Sequence, residues 1–155
     1  MEYPPTKLET FFEKSLSLLA HTDPDHPPAW GKMSLQGAVE HLEDSLNSVI
    51  FGTLDPFIPE NQELMIQFIH GPKLFRDNTK HPLLPPEPQA LRYPDYKIAI
   101  AALRESMEQY LQFWEKSPEA KPVHAGFGSL DQATWDALTQ KHFNHHLQQF
   151  QLLPR

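Results

Sequence analysis

Cysteine does not occur in the 155 residues. Its absence removes disulfide staples, thiolate metal ligands and cysteine nucleophiles together, and leaves histidine, aspartate and glutamate as the ligand chemistry on offer. An excess of positive charge is also missing. Thirteen Lys and Arg stand against 20 Asp and Glu, for a formal net charge of −7. Nucleic acids and anionic membrane surfaces select a basic footprint, so neither is expected as a partner. Nowhere does an apolar run reach about 18 residues, and no basic start leads into an apolar stretch. Neither a transmembrane helix nor a secretory leader is therefore expected, and the default location is the cytoplasm. Glycine is sparse, at 6 residues. There is no glycine-rich phosphate loop, no His-Glu-x-x-His run and no nucleophile elbow.

Proline, by contrast, is abundant. Twelve of the sixteen prolines gather in residues 24–28, 56–59, 82–94 and 118–122, and long stretches poor in proline lie between these clusters. Proline breaks helix interiors, so this layout reads as helices with stiff connections. Four long helices are expected to contain residues 8–20, 35–50, 96–115 and 130–149, each with apolar side chains at helical spacing. Thr6 with Glu9, and Ser129 with Gln132, have the spacing of capping boxes, and Ser34 is a good cap for the second helix. A shorter amphipathic piece is expected near 60–70, a loop at 121–128, and an irregular crossover through residues 82–94. The fold class predicted is all-α: one domain over 1–155, a four-helix bundle with a long crossover between the second and third long helices.

The chemistry lies in the histidines, of which there are nine. Lys141-His142-Phe143-Asn144-His145-His146-Leu147-Gln148-Gln149-Phe150 sets three of them within five residues of one predicted helix. At about 100° per residue, His142 and His146 are only about 40° apart, whereas His145 is about 60° from His142 on the other side. Trp135, Leu138 and Phe150 share the arc of His142 and His146, so those two rings point inward and His145 falls at the rim. An i, i+4 imidazole pair can close on a divalent ion, but an open catalytic site needs a third protein ligand. His41, midway along the second helix, is the candidate, with Gly37, Ala38, Asp44 and Ser45 leaving room and hydrogen-bonding capacity beside it. By rotation it sits at the edge of its helix's apolar stripe, about 100° from the centre. Hydrogen-bonded core histidines are the plainer reading of the pair, and a solvent-flank histidine that of His41. Two inward imidazoles with no shared ligand, however, leave polar groups that an apolar interior satisfies poorly.

Elsewhere the signals are weaker. Glu40, Glu43 and Asp44 adjoin His41, where a carboxylate can orient an imidazole or act as a general base; a solvated acidic face explains them equally well. Lys73, Arg76 and Lys80 can receive an anionic group but read more simply as a solvated loop. No role is assigned to His21, His26, His70, His81 or His124, although His81 and His124 can edge a pocket mouth.

The sequence resembles the DinB/YfiT-like superfamily of metal-dependent proteins. The resemblance rests on Trp30-Gly31-Lys32-Met33-Ser34-Leu35-Gln36-Gly37-Ala38-Val39-Glu40-His41-Leu42 and on His124-Ala125-Gly126-Phe127-Gly128-Ser129-Leu130, followed by Trp135 and the His142/His146 pair. It covers the two ends of the core and leaves the proline-rich middle unmatched. It implies a four-helix bundle with a long crossover, and a divalent metal, zinc or nickel, on His41, His142 and His146. It further implies a thiol transferase or isomerase that uses a low-molecular-weight thiol as cosubstrate. The match is closer to an uncharacterised subgroup of that superfamily, and Phe150-Gln151 departs from the Phe-Gly that this subgroup tends to carry, which puts the helix terminus in question. Two functions follow as expectations. In one, a three-histidine metal site activates a thiol or water for transfer or hydrolysis of a small-molecule substrate, with Asp44 and His145 as supporting groups. In the other, the same site serves a non-catalytic bundle that binds metal or a small ligand for stability or sensing. A homodimer is compatible with either.

Overall fold

A computed structural model describes residues 7–76 and 88–155. Five helices carry the described residues: α1 (Lys7–Ala20), α2 (Leu35–Phe51), α3 (Gln62–His70), α4 (Tyr96–Lys116) and α5 (Gln132–Gln149). The only other regular structure among them is a two-strand antiparallel hairpin, β1 (Val123–His124) with β2 (Gly128–Ser129). That hairpin corrects the loop expected at 121–128. The proposed Thr6 cap and residues 82–87 of the expected crossover lie outside the described residues, and residues 88–94 form neither helix nor strand.

Each long helix buries one stripe. Leu8, Phe12, Leu16 and Leu19 line α1, and Leu35, Ala38, Val39, Leu42, Leu46 and Val49 line α2, at the three- and four-residue spacing of a single helix face. On α4 the stripe is Ala99, Ile100, Leu103, Met107, Tyr110 and Trp114. The starts are capped by side chains that satisfy otherwise unpaired amides: Ser34 accepts from Gly37 N, Asp95 from Ile98 N and Asp131 from Thr134 N. The last of these replaces the expected Ser129/Gln132 box. Ser129 pairs in the hairpin instead, and a carboxylate two residues on takes the cap, where it also favours the helix dipole.

Packing is most extensive between α2 and α4; α2 also meets α5, and α1 meets both α4 and α5. Phe12 stands at the centre of one half of the core, with ring centroids 5.9 Å from Tyr110 and 5.6 Å from Phe143. The Tyr110 hydroxyl there donates to Asp136 at 2.8 Å, whereas the buried Trp114 Nε1 beside Tyr110 has no hydrogen-bond partner among the described residues. Tyr96 donates to the Leu19 carbonyl at 2.6 Å, tying the start of α4 to the end of α1. No described helix is long and apolar enough to cross a membrane.

The hairpin is fixed by the connection that follows α2. Phe57 O accepts from Ser129 N at 3.0 Å, and Gln62 Nε2 donates to the carbonyls of Phe127 and Ser129. Gly128 has φ +77°, and a Cβ there would run into the Phe57 carbonyl oxygen. Only glycine meets both demands without strain. The result sets His124 against α2 and beside Trp135 of α5.

Candidate metal centre

His41 on α2 and His142 and His146 on α5 converge through their Nε2 atoms. His142 Nε2 is 2.9 Å from His41 Nε2 and 3.2 Å from His146 Nε2, and the donor atoms of all three rings lie within 4.8 Å of one another. The rings meet edge to face, with centroids 4.8–5.1 Å apart. Helix geometry explains the pairing on α5, since i and i+4 stack on one face. Val39 and Leu42, on either side of His41, are fully buried, and this seats α2 deeply enough to bring His41 to α5.

The donor set suits a divalent ion. Burial, followed by the nearby charges of His146 and His41, holds His142 well below the ordinary histidine pKa. Burial, followed by His41, takes His146 down to about 3, although the hydrogen bond it makes to Gln149 Oε1 pulls the other way. Both are therefore neutral near pH 7, the state that coordinates metal. Nitrogens bound at about 2.0–2.1 Å on a tetrahedral ion stand about 3.3 Å apart, close to the two Nε2 separations present. Among the described residues, His41, His142 and His146 form the group of three or more ligand side chains that can hold a metal ion.

The neighbouring His145 is directed elsewhere. Its ring lies between Trp30 and Phe75, with centroids 5.7 and 5.6 Å away, and burial lowers its pKa. Asp44 faces away from the imidazoles in an ion pair with Arg92, Oδ2 to Nη1 at 3.0 Å. Glu40 and Glu43 are not a solvated face: they are 4% and 6% exposed. Glu40 accepts from Arg92 N at 2.6 Å and from Gln36, and Glu43 accepts from the Tyr93 hydroxyl at 2.6 Å and from Arg92 Nη2 at 3.0 Å. Although burial opposes its charge, Asp44 and Glu43 hold the Arg92 guanidinium above its ordinary pKa. These acids thus fasten the segment before α4 onto the helix that carries His41.

His124 stacks on Phe127 at 4.4 Å, and its Nδ1 accepts from Gly126 N and Phe127 N at 2.9 and 3.0 Å. Its charge is one of those opposing protonation of His142, which places it at the border of the site. His26 bonds to Phe150 O, His70 to Thr134 and His21 to Ser17 O; His81 and Lys80 lie outside the described residues, and Lys73 and Arg76 are exposed.

Gln149 and Trp30 escaped the sequence reading as site residues. Gln149, 6% exposed, contacts His146 Nδ1 through Oε1 at 2.8 Å and donates from Nε2 to the Trp30 carbonyl at 2.9 Å. Its position one turn beyond His146 was the available signal.

A family model described as a protein of unknown function, DUF1569, matches residues 8–152. The chain belongs to the DUF1569 family. No curated protein and no solved structure matches it. All three convergent histidines, and Gln149 with them, fall inside the DUF1569 match.

Proposed function

We propose that this DUF1569 protein is a metal-dependent enzyme of the DinB/YfiT-like type, a single four-helix bundle of α1, α2, α4 and α5 in which His41, His142 and His146 hold zinc or nickel. The convergence of three Nε2 atoms supports this most directly. The bundle reading draws on the contacts of α2 with α4 and α5 and of α1 with the same two helices, with α3 belonging to the crossover. A divalent ion supplies Lewis acidity toward a low-molecular-weight thiol or a water, for transfer to or hydrolysis of a small-molecule substrate.

The chain's own residues perform three tasks in this scheme. His142 and His146 present neutral donors, because burial opposes their protonation, and His41 Nε2 completes the set. The Arg92, Glu40 and Glu43 contacts hold the segment before α4 against α2, the helix that carries His41. Any sulfur chemistry arrives with the cosubstrate, since the chain has no cysteine of its own.

Metal analysis of protein prepared without an affinity tag, followed by thiol-transfer and hydrolysis assays with and without chelator, tests the proposal. One metal per chain with chelator-sensitive turnover is the expected result. Stoichiometric metal without turnover would favour the metal-binding bundle instead, and absence of metal at micromolar supply would overturn both.

A further inference from the structure

We infer that Gln149 is the positioning residue that makes His146 a metal donor, by holding the ring hydrogen on Nδ1 and leaving Nε2 as a bare lone pair; this rests on the metal-site reading above. The orientation of the Gln149 amide follows from its other partner. The Trp30 carbonyl accepts only, so the group 2.9 Å from it is the amide NH2, and the carbonyl oxygen of the side chain faces His146 at 2.8 Å. That oxygen has no hydrogen to give, so His146 Nδ1 must bring one. A neutral imidazole carries one hydrogen, and Nε2 is left as an acceptor pointing at His142.

The two close Nε2 contacts then have no good hydrogen-bonded solution. If His142 Nε2 carries a hydrogen, that one hydrogen can align with His41 or with His146, but not with both. If it carries none, it faces the His146 lone pair at 3.2 Å. A cation shared among three lone pairs makes both contacts favourable. A single amide at the end of α5 therefore selects the tautomer on which the site depends, as partners of metal-bound imidazoles commonly do.

The plainer role for Gln149 is a strap. Its backbone carbonyl also accepts from Ala29 N at 2.7 Å, so it anchors the chain before α2 twice. Two substitutions separate the roles. Gln149→Leu removes both side-chain bonds, whereas Gln149→Glu keeps an acceptor for His146 Nδ1 but cannot donate to the Trp30 carbonyl. The readouts are the His146 tautomer, from long-range 1H–15N correlations in the metal-free protein, and the zinc dissociation constant. We expect Nδ1–H in the wild type, loss of that tautomer with about 10- to 100-fold weaker zinc binding in Gln149→Leu, and retention of both in Gln149→Glu. A wild-type His146 in the Nε2–H form would overturn the inference. So would a folded Gln149→Leu with unchanged tautomer and affinity, or a loss of affinity in Gln149→Glu equal to that in Gln149→Leu, the mark of a strap. If Gln149→Leu does not fold, the wild-type tautomer and the Gln149→Glu affinity still decide. Failure of the wild type to bind zinc would overturn the metal reading and the donor role with it, whereas the tautomer, measured without metal, separately decides whether Gln149 holds the hydrogen on Nδ1.

Discussion

His145 and His146 are adjacent in the chain yet occupy different chemistry, one between two aromatic rings and the other in a ring of nitrogens. Each of His41→Ala, His142→Ala and His146→Ala should abolish stoichiometric metal binding, while His145→Ala should keep it. Inductively coupled plasma mass spectrometry on folded variants checks this. Loss of metal in His145→Ala with retention in His146→Ala would put the wrong ring in the site. Acid should act in one direction only. The folded chain keeps His142 and His146 unprotonated below the ordinary value of 6.5, whereas the unfolded chain takes up protons there, so protons favour unfolding. The contribution of these rings is complete above about pH 6.5 and is lost as pH falls toward about 3, the folded value of His146. Urea unfolding of metal-free protein should therefore show a midpoint that declines from pH 7 to pH 5, more steeply in the wild type than in His146→Phe. Equal slopes would mean that His146 titrates normally in the fold.

At the scale of the element, the end of α5 shows how a sequence departure becomes a structural cost. Leu152 N donates to Leu147 O and Gln151 N to Gln148 O, the paired bonds of a Schellman cap. The residue between helix and exit, Gln151, must then adopt φ +58°. A side chain is disfavoured in that region by roughly 1 kcal/mol, and glycine is not. Gln151→Gly should stabilise the protein by about 0.5–1 kcal/mol, read as a shift in the urea midpoint, with metal affinity unchanged; destabilisation would contradict the cap. The same helix marks how far the sequence was legible. Rotation at 100° per residue separated the faces of His145 and His146, because buried Trp135, Leu138 and Phe150 define the interior arc without reference to any partner. The helix start was misplaced by two residues, since Ser129 and Asp131 are both competent caps and only the pairing of Ser129 with Val123 decides between them. Glu40 and Glu43 misled for a related reason. Their burial depends on Arg92 and Tyr93, some fifty positions away, and a local charge pattern carries no trace of such partners.

For the whole molecule, the site joins the two helices that the rest of the fold must hold together. α2 reaches α5 through fewer contacts than it makes with α4, so a ligand shared by His41 and the α5 pair ties a lightly packed seam. An ion bound only by the folded chain should stabilise it by about 2.7 kcal/mol when free metal exceeds its dissociation constant a hundredfold. Chelation should lower the melting temperature by several degrees, and restoring zinc or nickel should recover it; an unchanged melting curve after verified loading and removal would make the histidines structural. The Arg92 contacts hold α2 to a different neighbour, the segment before α4. Removing the guanidinium in Arg92→Ala leaves Glu43, 6% exposed, without its charge partner, and breaking a buried pair in this way costs about 3–5 kcal/mol at most, less here because Arg92 itself is partly exposed. Thermal unfolding of that variant should show a clear loss of stability, and a neutral result would mean that α2 does not depend on the Arg92 contacts.

The central claim is that three imidazoles from α2 and α5 share one ion, and X-ray absorption at the zinc edge on protein loaded with one equivalent tests it most directly. The expected spectrum has an inner shell at about 2.0–2.1 Å with the outer-ring scattering of three imidazoles, and His41→Ala, which no longer holds stoichiometric zinc, loses that signature. An oxygen-only shell without imidazole scattering, or a spectrum unchanged by His41→Ala, would contradict it.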